Sequence, residues 1–110
     1  MTLSMVYITA SDEGQAREIG RALVETRLAA CANILGGVNS IYWWDGEVEE
    51  AAEAILIVKT REALMPELVE KVRSMHSYEC PCVVSLPILL GNPGYLDWIQ
   101  GETTPVVGGV

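Results

Sequence analysis

The side chains best suited to chemistry lie in one short stretch, from Met75 to Cys82. His76 is the only imidazole of the chain, and its ordinary pKa of about 6.5 suits a proton carrier or a metal ligand. The thioether of Met75 beside it is a second soft donor that copper accepts. Two donors are too few for a complete site, so Met75 and His76 are candidate metal ligands if an assembly brings several copies together. The alternative is structural: His76 ends a helix and hydrogen-bonds one of its last carbonyls.

Three cysteines supply the remaining soft donors. Cys80 and Cys82 are two positions apart, which in an extended segment places both thiols on one side, where a soft cation could bridge them. Structural zinc prefers wider pairs and four ligands, so the pattern is weak evidence for zinc. The alternative is a pair of small buried hydrophobic residues. Cys31, between alanines, is predicted to pack at a junction of a strand and a helix.

Aromatic side chains and carboxylates form two further candidate sites. A small-molecule pocket with polar anchors could be built from Tyr42, Trp43, Trp44, Trp98, Lys59 and Glu79. The alternative for these aromatic residues is packing between subunits. Oxygen ligands for a hard cation are offered by Glu47, Glu49, Glu50 and Glu53, although such clusters are usually solvated surface.

Length and composition limit the classes of protein to which this chain can belong. The chain has 110 residues, half of them apolar, which fits one folded domain spanning 1–110, with a flexible tail over 101–110. Its formal net charge of −8 disfavours nucleic acid and anionic membranes as partners. The start of the chain lacks the pattern of an export signal, and no apolar run is long enough to cross a bilayer. We therefore expect a cytoplasmic protein with reduced thiols.

The first half of the chain predicts a strand, a helix and a long hairpin. A strand over Met5–Thr9 leads to a helix that Asp12 caps and that ends near Arg27 or Leu28. A long strand follows over 30–44, with a bend or bulge at Gly36-Gly37. Asp45-Gly46 then predicts a tight hairpin turn, and the next strand returns through Ala54–Val58.

The second half predicts a helix, a strand and a short terminal helix. Thr60 is a candidate cap for the second helix, which has Pro66 in its first turns. The fourth strand covers Cys82–Leu86, and Pro87 is predicted to end its pairing. A turn over Gly91–Gly94 leads to the short helix.

This order, β-α-β-β-α-β plus a C-terminal helix, predicts an α+β fold of the ferredoxin-like type. Both main helices should then cover one face of an antiparallel sheet, and the other face should be polar if it meets water. Instead the central strands are apolar on both faces, for example over Ile55–Val58. Exposing several large aliphatic side chains would forgo about 1.5 to 3 kcal/mol each, so we expect a second copy of the chain to cover them. The alternative is that the terminal helix covers this surface alone.

From about Tyr7 to Gln100 the sequence resembles the CutA family, the divalent-cation tolerance proteins. Five motifs in order carry the resemblance: Leu28–Ile34, Ser40–Gly46, Lys59-Thr60, His76–Pro81 and Gly91–Trp98. The resemblance implies a ferredoxin-like subunit in a tightly packed homotrimer, cytosolic in bacteria, linked to copper tolerance and binding copper.

The sequence also departs from the family pattern near the candidate ligands. The family usually has proline where Ser77 stands, and a thiol is unusual at Cys82. Some members place a copper-ligating cysteine where this chain has Ile8, and a histidine where it has Met75. Only His76 keeps the ligand set that the resemblance implies.

Three classes of function remain to be compared. Acylphosphatase-like enzymes of this fold bind phosphate at the first turn, which in this chain is acidic because of Asp12 and Glu13. The sequence also shows no evident pair of a nucleophile and a base, so we predict no catalysis. A PII-like trimeric sensor of nucleotides or small molecules is the alternative, although the tight Asp45-Gly46 turn leaves no long loop. The favoured hypothesis is a non-enzymatic trimer that binds copper or another divalent ion and could dock an unidentified protein partner.

Overall fold

Four strands form one antiparallel sheet in the computed structural model, which describes residues 2–105. The strands are β1 (Leu3–Ala10), β2 (Cys31–Trp44), β3 (Glu47–Arg61) and β4 (Val83–Ile88), and the helices are α1 (Glu13–Glu25), α2 (Met65–Met75) and α3 (Pro93–Glu102). A 3-10 turn over Glu62–Leu64 precedes α2. The order across the sheet is β2-β3-β1-β4, as in a ferredoxin-like fold, so the predicted fold class is confirmed.

Local signals position the first half of the chain as predicted. The Asp12 carboxylate accepts a hydrogen bond from the Gln15 amide at 2.7 Å and caps α1. Asp45 and Gly46 both have positive φ, as a two-residue type I′ hairpin turn requires. The pairing of β2 with β3 shifts register between Leu35 and Val38, so the predicted irregularity at the two glycines is confirmed.

The two glycines of the bulge differ in what a side chain would meet. A Cβ atom at Gly36 would lie 1.6 Å from a carboxylate oxygen of Glu13, but that contact is with the end of an exposed, flexible side chain, which can move away. The neighbouring Gly37 has a φ of +70°, in the left-handed region that residues with a Cβ rarely adopt. Glycine is therefore needed at position 37 for its backbone conformation.

Two local predictions for the second half of the chain are wrong. Thr60 does not cap a helix: its buried hydroxyl donates to the Leu28 carbonyl at 2.7 Å, and the helical segment begins two residues later without a side-chain cap. Pro87 does not end the pairing of β4, since it pairs with Ser4 inside the strand. Proline is tolerated there because β4 is an edge strand.

The main core lies between the sheet and helices α1 and α2. Alternate residues of the two central strands point into it and are fully buried, including Val6, Ile8, Leu56 and Val58. They pack with side chains of the helices, among them Ile19, Leu23, Leu68 and Val72. This face of the sheet is completely covered.

Helix α3 lies at one end of the opposite face. Ile99 of α3 is fully buried against Leu3 and Ala30. The buried Arg61 guanidinium donates to Thr103 Oγ1 at 2.9 Å and to the Gln100 carbonyl, which fixes the end of the helix. Of the predicted tail 101–110, residues 101 and 102 thus belong to α3 and Thr103 is buried, while residues 106–110 lie outside the described residues.

The rest of that face is not covered by any of residues 2–105. Met5, Leu35, Val84 and Leu86 are 36%, 50%, 50% and 46% exposed. We call these four side chains the open face. The alternative that α3 covers the whole surface alone is therefore wrong, because α3 reaches only one end of it.

Candidate functional site

An open cleft of about 790 Å³ lies where the outer part of the β2–β3 hairpin, between the bulge and the turn, meets the loop between α2 and β4. One wall comes from alternate residues of β2, namely Ser40, Tyr42 and Trp44, with Glu53 of β3. The other wall is the loop, with Tyr78, Glu79, Cys80 and Cys82, and Thr9 of β1 lies between the two walls. The cleft therefore gathers three distant segments of the sequence around aromatic rings, carboxylates and thiols.

Tyr78 and Glu53 connect the two walls of the cleft. The Tyr78 hydroxyl donates to a Glu53 carboxylate oxygen at 2.7 Å. Burial, together with this hydrogen bond and the negative charge of Glu53, raises the pKa of Tyr78 from 10.0 to about 12. Tyr78 therefore stays a neutral hydrogen-bond donor at any physiological pH, and it holds the Glu53 carboxylate.

Both ring nitrogens of His76 are hydrogen-bonded to the backbone. Nδ1 accepts from the Tyr78 amide at 3.0 Å, and Nε2 lies 2.7 Å from the carbonyl oxygen of Thr9. Because an amide only donates and a carbonyl only accepts, the ring is neutral and carries its proton on Nε2. A metal ion at His76 would have to displace one of these two bonds.

Met75 lies away from the cleft. It ends α2 and packs against the core between the helices and the sheet. His76 is the C-cap residue of the same helix, its amide donating to Val72, so the structure brings Met75 and His76 together only as sequence neighbours. Within residues 2–105, no three His, Cys, Asp or Glu side chains are grouped closely enough to hold a metal ion.

The three cysteines have different surroundings, and all are free thiols. Cys80 and Cys82 are exposed in the isolated subunit and line the cleft, so the alternative of a buried hydrophobic pair is wrong for the single chain. Cys31 is partly buried at the start of β2. Its sulfur lies 3.5 Å from the Tyr95 hydroxyl and 3.7 Å from Lys59 Nζ.

The structure brings together only some of the residues considered for an aromatic pocket. Tyr42, Trp44 and Glu79 line the cleft, whereas Trp43, Trp98 and Lys59 do not. Lys59 is instead 3.1 Å from Asn33 Oδ1 and lies over the ring of Tyr95. The hydrogen bond between Cys31 and Tyr95, followed by burial, raises the pKa of Tyr95.

Sequence reasoning missed the role of Glu53 and the wall formed by Ser40. The two-residue period of a strand places Ser40, Tyr42 and Trp44 on one face, so this wall could have been found from the sequence. Glu53 could not have been assigned in this way, because the bulge at Gly36-Gly37 shifts which β3 residues oppose β2. The four acidic residues of the hairpin divide accordingly: Glu53 takes part in the cleft, while Glu47, Glu49 and Glu50 are exposed.

Fold and cleft together define a class of protein: an α+β domain of ferredoxin-like topology with an extended hairpin and a C-terminal helix at one end of the sheet. Residues 4–102 match the family described as CutA1 divalent ion tolerance protein. The chain belongs to the CutA1 divalent ion tolerance family.

Individual relatives agree with this assignment. The divalent-cation tolerance protein CutA of Thermus thermophilus is 50% identical over 90% of this chain and 96% of its own length. Mouse protein CutA is 45% identical over 96% of this chain, which spans only 59% of the mouse protein. The crystal structure of CutA1 from Oryza sativa superposes with a TM-score of 0.93 at 39% identity, covering 96% of this chain and 97% of that one.

Proposed function

We propose that this protein is a non-enzymatic homotrimer of the divalent-cation tolerance type that binds copper or another divalent metal ion. Family membership supports the cation-related role. The observation that carries the assembly is the open face. It leaves four large apolar side chains between 36% and 50% exposed, and at the hairpin tip Trp43 and Trp44 are 75% and 67% exposed.

A non-enzymatic role agrees with the state of the candidate catalytic group. His76 uses both ring nitrogens in backbone hydrogen bonds, so neither is free to take up or deliver a proton. The first turn, where enzymes of this topology bind phosphate, carries Asp12 and Glu13, and Asp12 already occupies the end of α1 as its cap. Hydrolysis of a phosphoester by wild-type protein that His76→Ala abolishes would contradict this proposal.

Cation binding is supported by charge and by the donors near the cleft. A net charge of −8 raises the local concentration of cations around the subunit. The ligand role of Met75 and His76 stays a prediction that rests on the resemblance, and the engaged ring of His76 implies that a bound ion displaces a backbone partner. Residues 2–105 contain no helix that is long and apolar enough to span a membrane.

Titration with Cu(II) and Cu(I) tests the metal part of the proposal. Wild-type protein and a Met75→Ala/His76→Ala double variant are titrated by calorimetry, and thermal unfolding shows that the variant is folded. Weaker binding by the double variant would support these ligands, while equal affinity would remove them. A saturable signal with an adenine nucleotide and none with copper would favour the PII-like sensor instead.

Cytoplasmic localisation is part of the same proposal. All three cysteines are free thiols, and two of them are exposed, which suits a reducing compartment. Fractionation of cells that produce the protein at native level, followed by immunodetection, tests this placement. Recovery in an oxidising compartment would contradict it.

A further inference from the structure

Two exposed thiols face one cleft from either side of a proline. Cys80 and Cys82 both line the cleft, whereas Pro81 between them does not. We infer that Cys80 and Cys82 form a two-thiolate site for a soft monovalent cation of the Cu(I) type. The inference rests on the proposed function for its biological meaning. It adds two metal ligands that the proposed function does not itself identify.

The backbone that carries the two thiols has little conformational freedom. Pro81 has a fixed φ and confines Cys80 to extended conformations, so little backbone freedom remains to be lost when both thiols meet one ion. The loop is also tied to the rest of the molecule at its start, because Tyr78 is hydrogen-bonded both to His76 and to Glu53. The thiols are thus carried by a restrained loop.

The donor set decides which class of cation fits. Thiolates select soft ions such as Cu(I), whereas divalent copper prefers nitrogen and oxygen ligands. Structural zinc requires four ligands, and the described part of the chain groups no three of the usual ligand side chains. Two thiolates are sufficient only for an ion that accepts two-coordinate binding, as Cu(I) does.

The surroundings of the thiols favour the same ion. Tyr42 and Trp44 give the opposite wall of the cleft large apolar surfaces, which suit a weakly hydrated ion. The Glu53 carboxylate accepts from Tyr78, so one oxygen is already engaged. The carboxylates in the cleft attract cations over a distance, and the sulfur atoms supply the selective contacts.

Binding is an exchange of protons for the metal ion. Two neutral thiols and one Cu(I) ion give a bis-thiolate complex of charge −1 and release two protons, and no atom changes oxidation state. Affinity should therefore rise with pH, because protons compete with the metal ion for both sulfur atoms.

The experiment measures Cu(I) affinity of the full chain in its native assembly under nitrogen, with ascorbate as reductant and a chromophoric Cu(I) chelator as competitor. We expect Cys80→Ser/Cys82→Ser to weaken Cu(I) binding by more than about 100-fold. Substituting residues that only hydrogen-bond a metal ligand already lowers metal affinity by about 10- to 100-fold. Cys31→Ser is the matched control, because this thiol lies outside the cleft, and its affinity should equal that of wild type. Circular dichroism shows that each variant is folded.

Other results separate this inference from the proposed function. Wild-type protein that binds neither Cu(I) nor Cu(II) would overturn this inference and the copper part of the proposed function. Cu(II) binding without Cu(I) binding, or Cu(I) binding that survives Cys80→Ser/Cys82→Ser, would overturn only the thiolate site. An affinity that does not change between pH 6 and 7 would also overturn it, because two thiols must lose their protons.

Discussion

Replacing Leu86 with glutamate should separate the proposed assembly into subunits of 12.0 kDa. Leu86 lies on the edge strand β4 and belongs to the open face, where it pairs with Met5 of β1. It is 46% exposed in the single chain, so the substitution should leave the fold of the subunit intact. Its main effect should fall on the surface that a second copy would cover.

The magnitude follows from the exposed fractions of the four open-face side chains. Full burial of such a side chain contributes about 1.5 to 3 kcal/mol. Since each is between 36% and 50% exposed, covering them should contribute about 1 kcal/mol apiece, or about 4 kcal/mol per subunit. A glutamate at position 86 removes the contribution of the Leu86 side chain to association. It also adds the cost of burying an unpaired carboxylate, which amounts to several kcal/mol. The change is therefore comparable to the whole contribution of the open face.

Analytical ultracentrifugation at micromolar concentration measures the outcome directly. Ala63→Glu is the control, because it adds the same charge at an exposed position of the 3-10 turn, outside the sheet. We expect the assembly mass for wild type and Ala63→Glu, and subunit mass for Leu86→Glu. A Leu86→Glu protein that keeps the wild-type mass would refute the argument, as would a wild-type protein that is itself a 12.0 kDa particle.

Three further predictions concern single subunits. Tyr78→Phe should remove the component near pH 12 from a tyrosinate absorbance titration. Because the raised pKa of Tyr78 favours the neutral phenol in the folded state, its contribution to the free energy of unfolding is present below pH 10 and is lost as the pH rises towards 12. Loss of that component from any other tyrosine variant instead would contradict this assignment. Asp12→Ala should lower the free energy of unfolding by about 0.5 to 2 kcal/mol because the Gln15 amide loses its cap, while Asp12→Asn should cost less, as chemical denaturation can show. Leu56→Ala should cost about 2 to 5 kcal/mol, since Leu56 is fully buried, and a loss below 1 kcal/mol in denaturation at fixed protein concentration would argue against this core.

Much of the fold could be predicted because its signals are short-range. Asp12, the Asp45-Gly46 turn and the bulge at Gly36-Gly37 act within a few residues, so their residue types suffice. Thr60 and Pro87 were misassigned for the opposite reason. Thr60 finds its partner 32 residues earlier in the chain, and Pro87 is tolerated only because its strand lies at the edge of the sheet.

The candidate site was less predictable, because its geometry depends on distant contacts. Residue types pointed to His76 and to the two thiols near it, but not to their state. His76 meets Thr9 from 67 residues away, and Tyr78 meets Glu53 from 25 residues away. These contacts engage the imidazole and the Glu53 carboxylate, while the two thiols and the Glu79 carboxylate are exposed at the cleft.

The sequence by itself determined the order of the elements, the turns between them and the apolar character of both sheet faces, since all three follow from local residue type and period. Only the tertiary structure decided how far α3 covers the second face, because that depends on where the helix packs on the sheet. It also decided which donors face the cleft, because hydrogen bonds between residues far apart in the chain fix where these side chains lie.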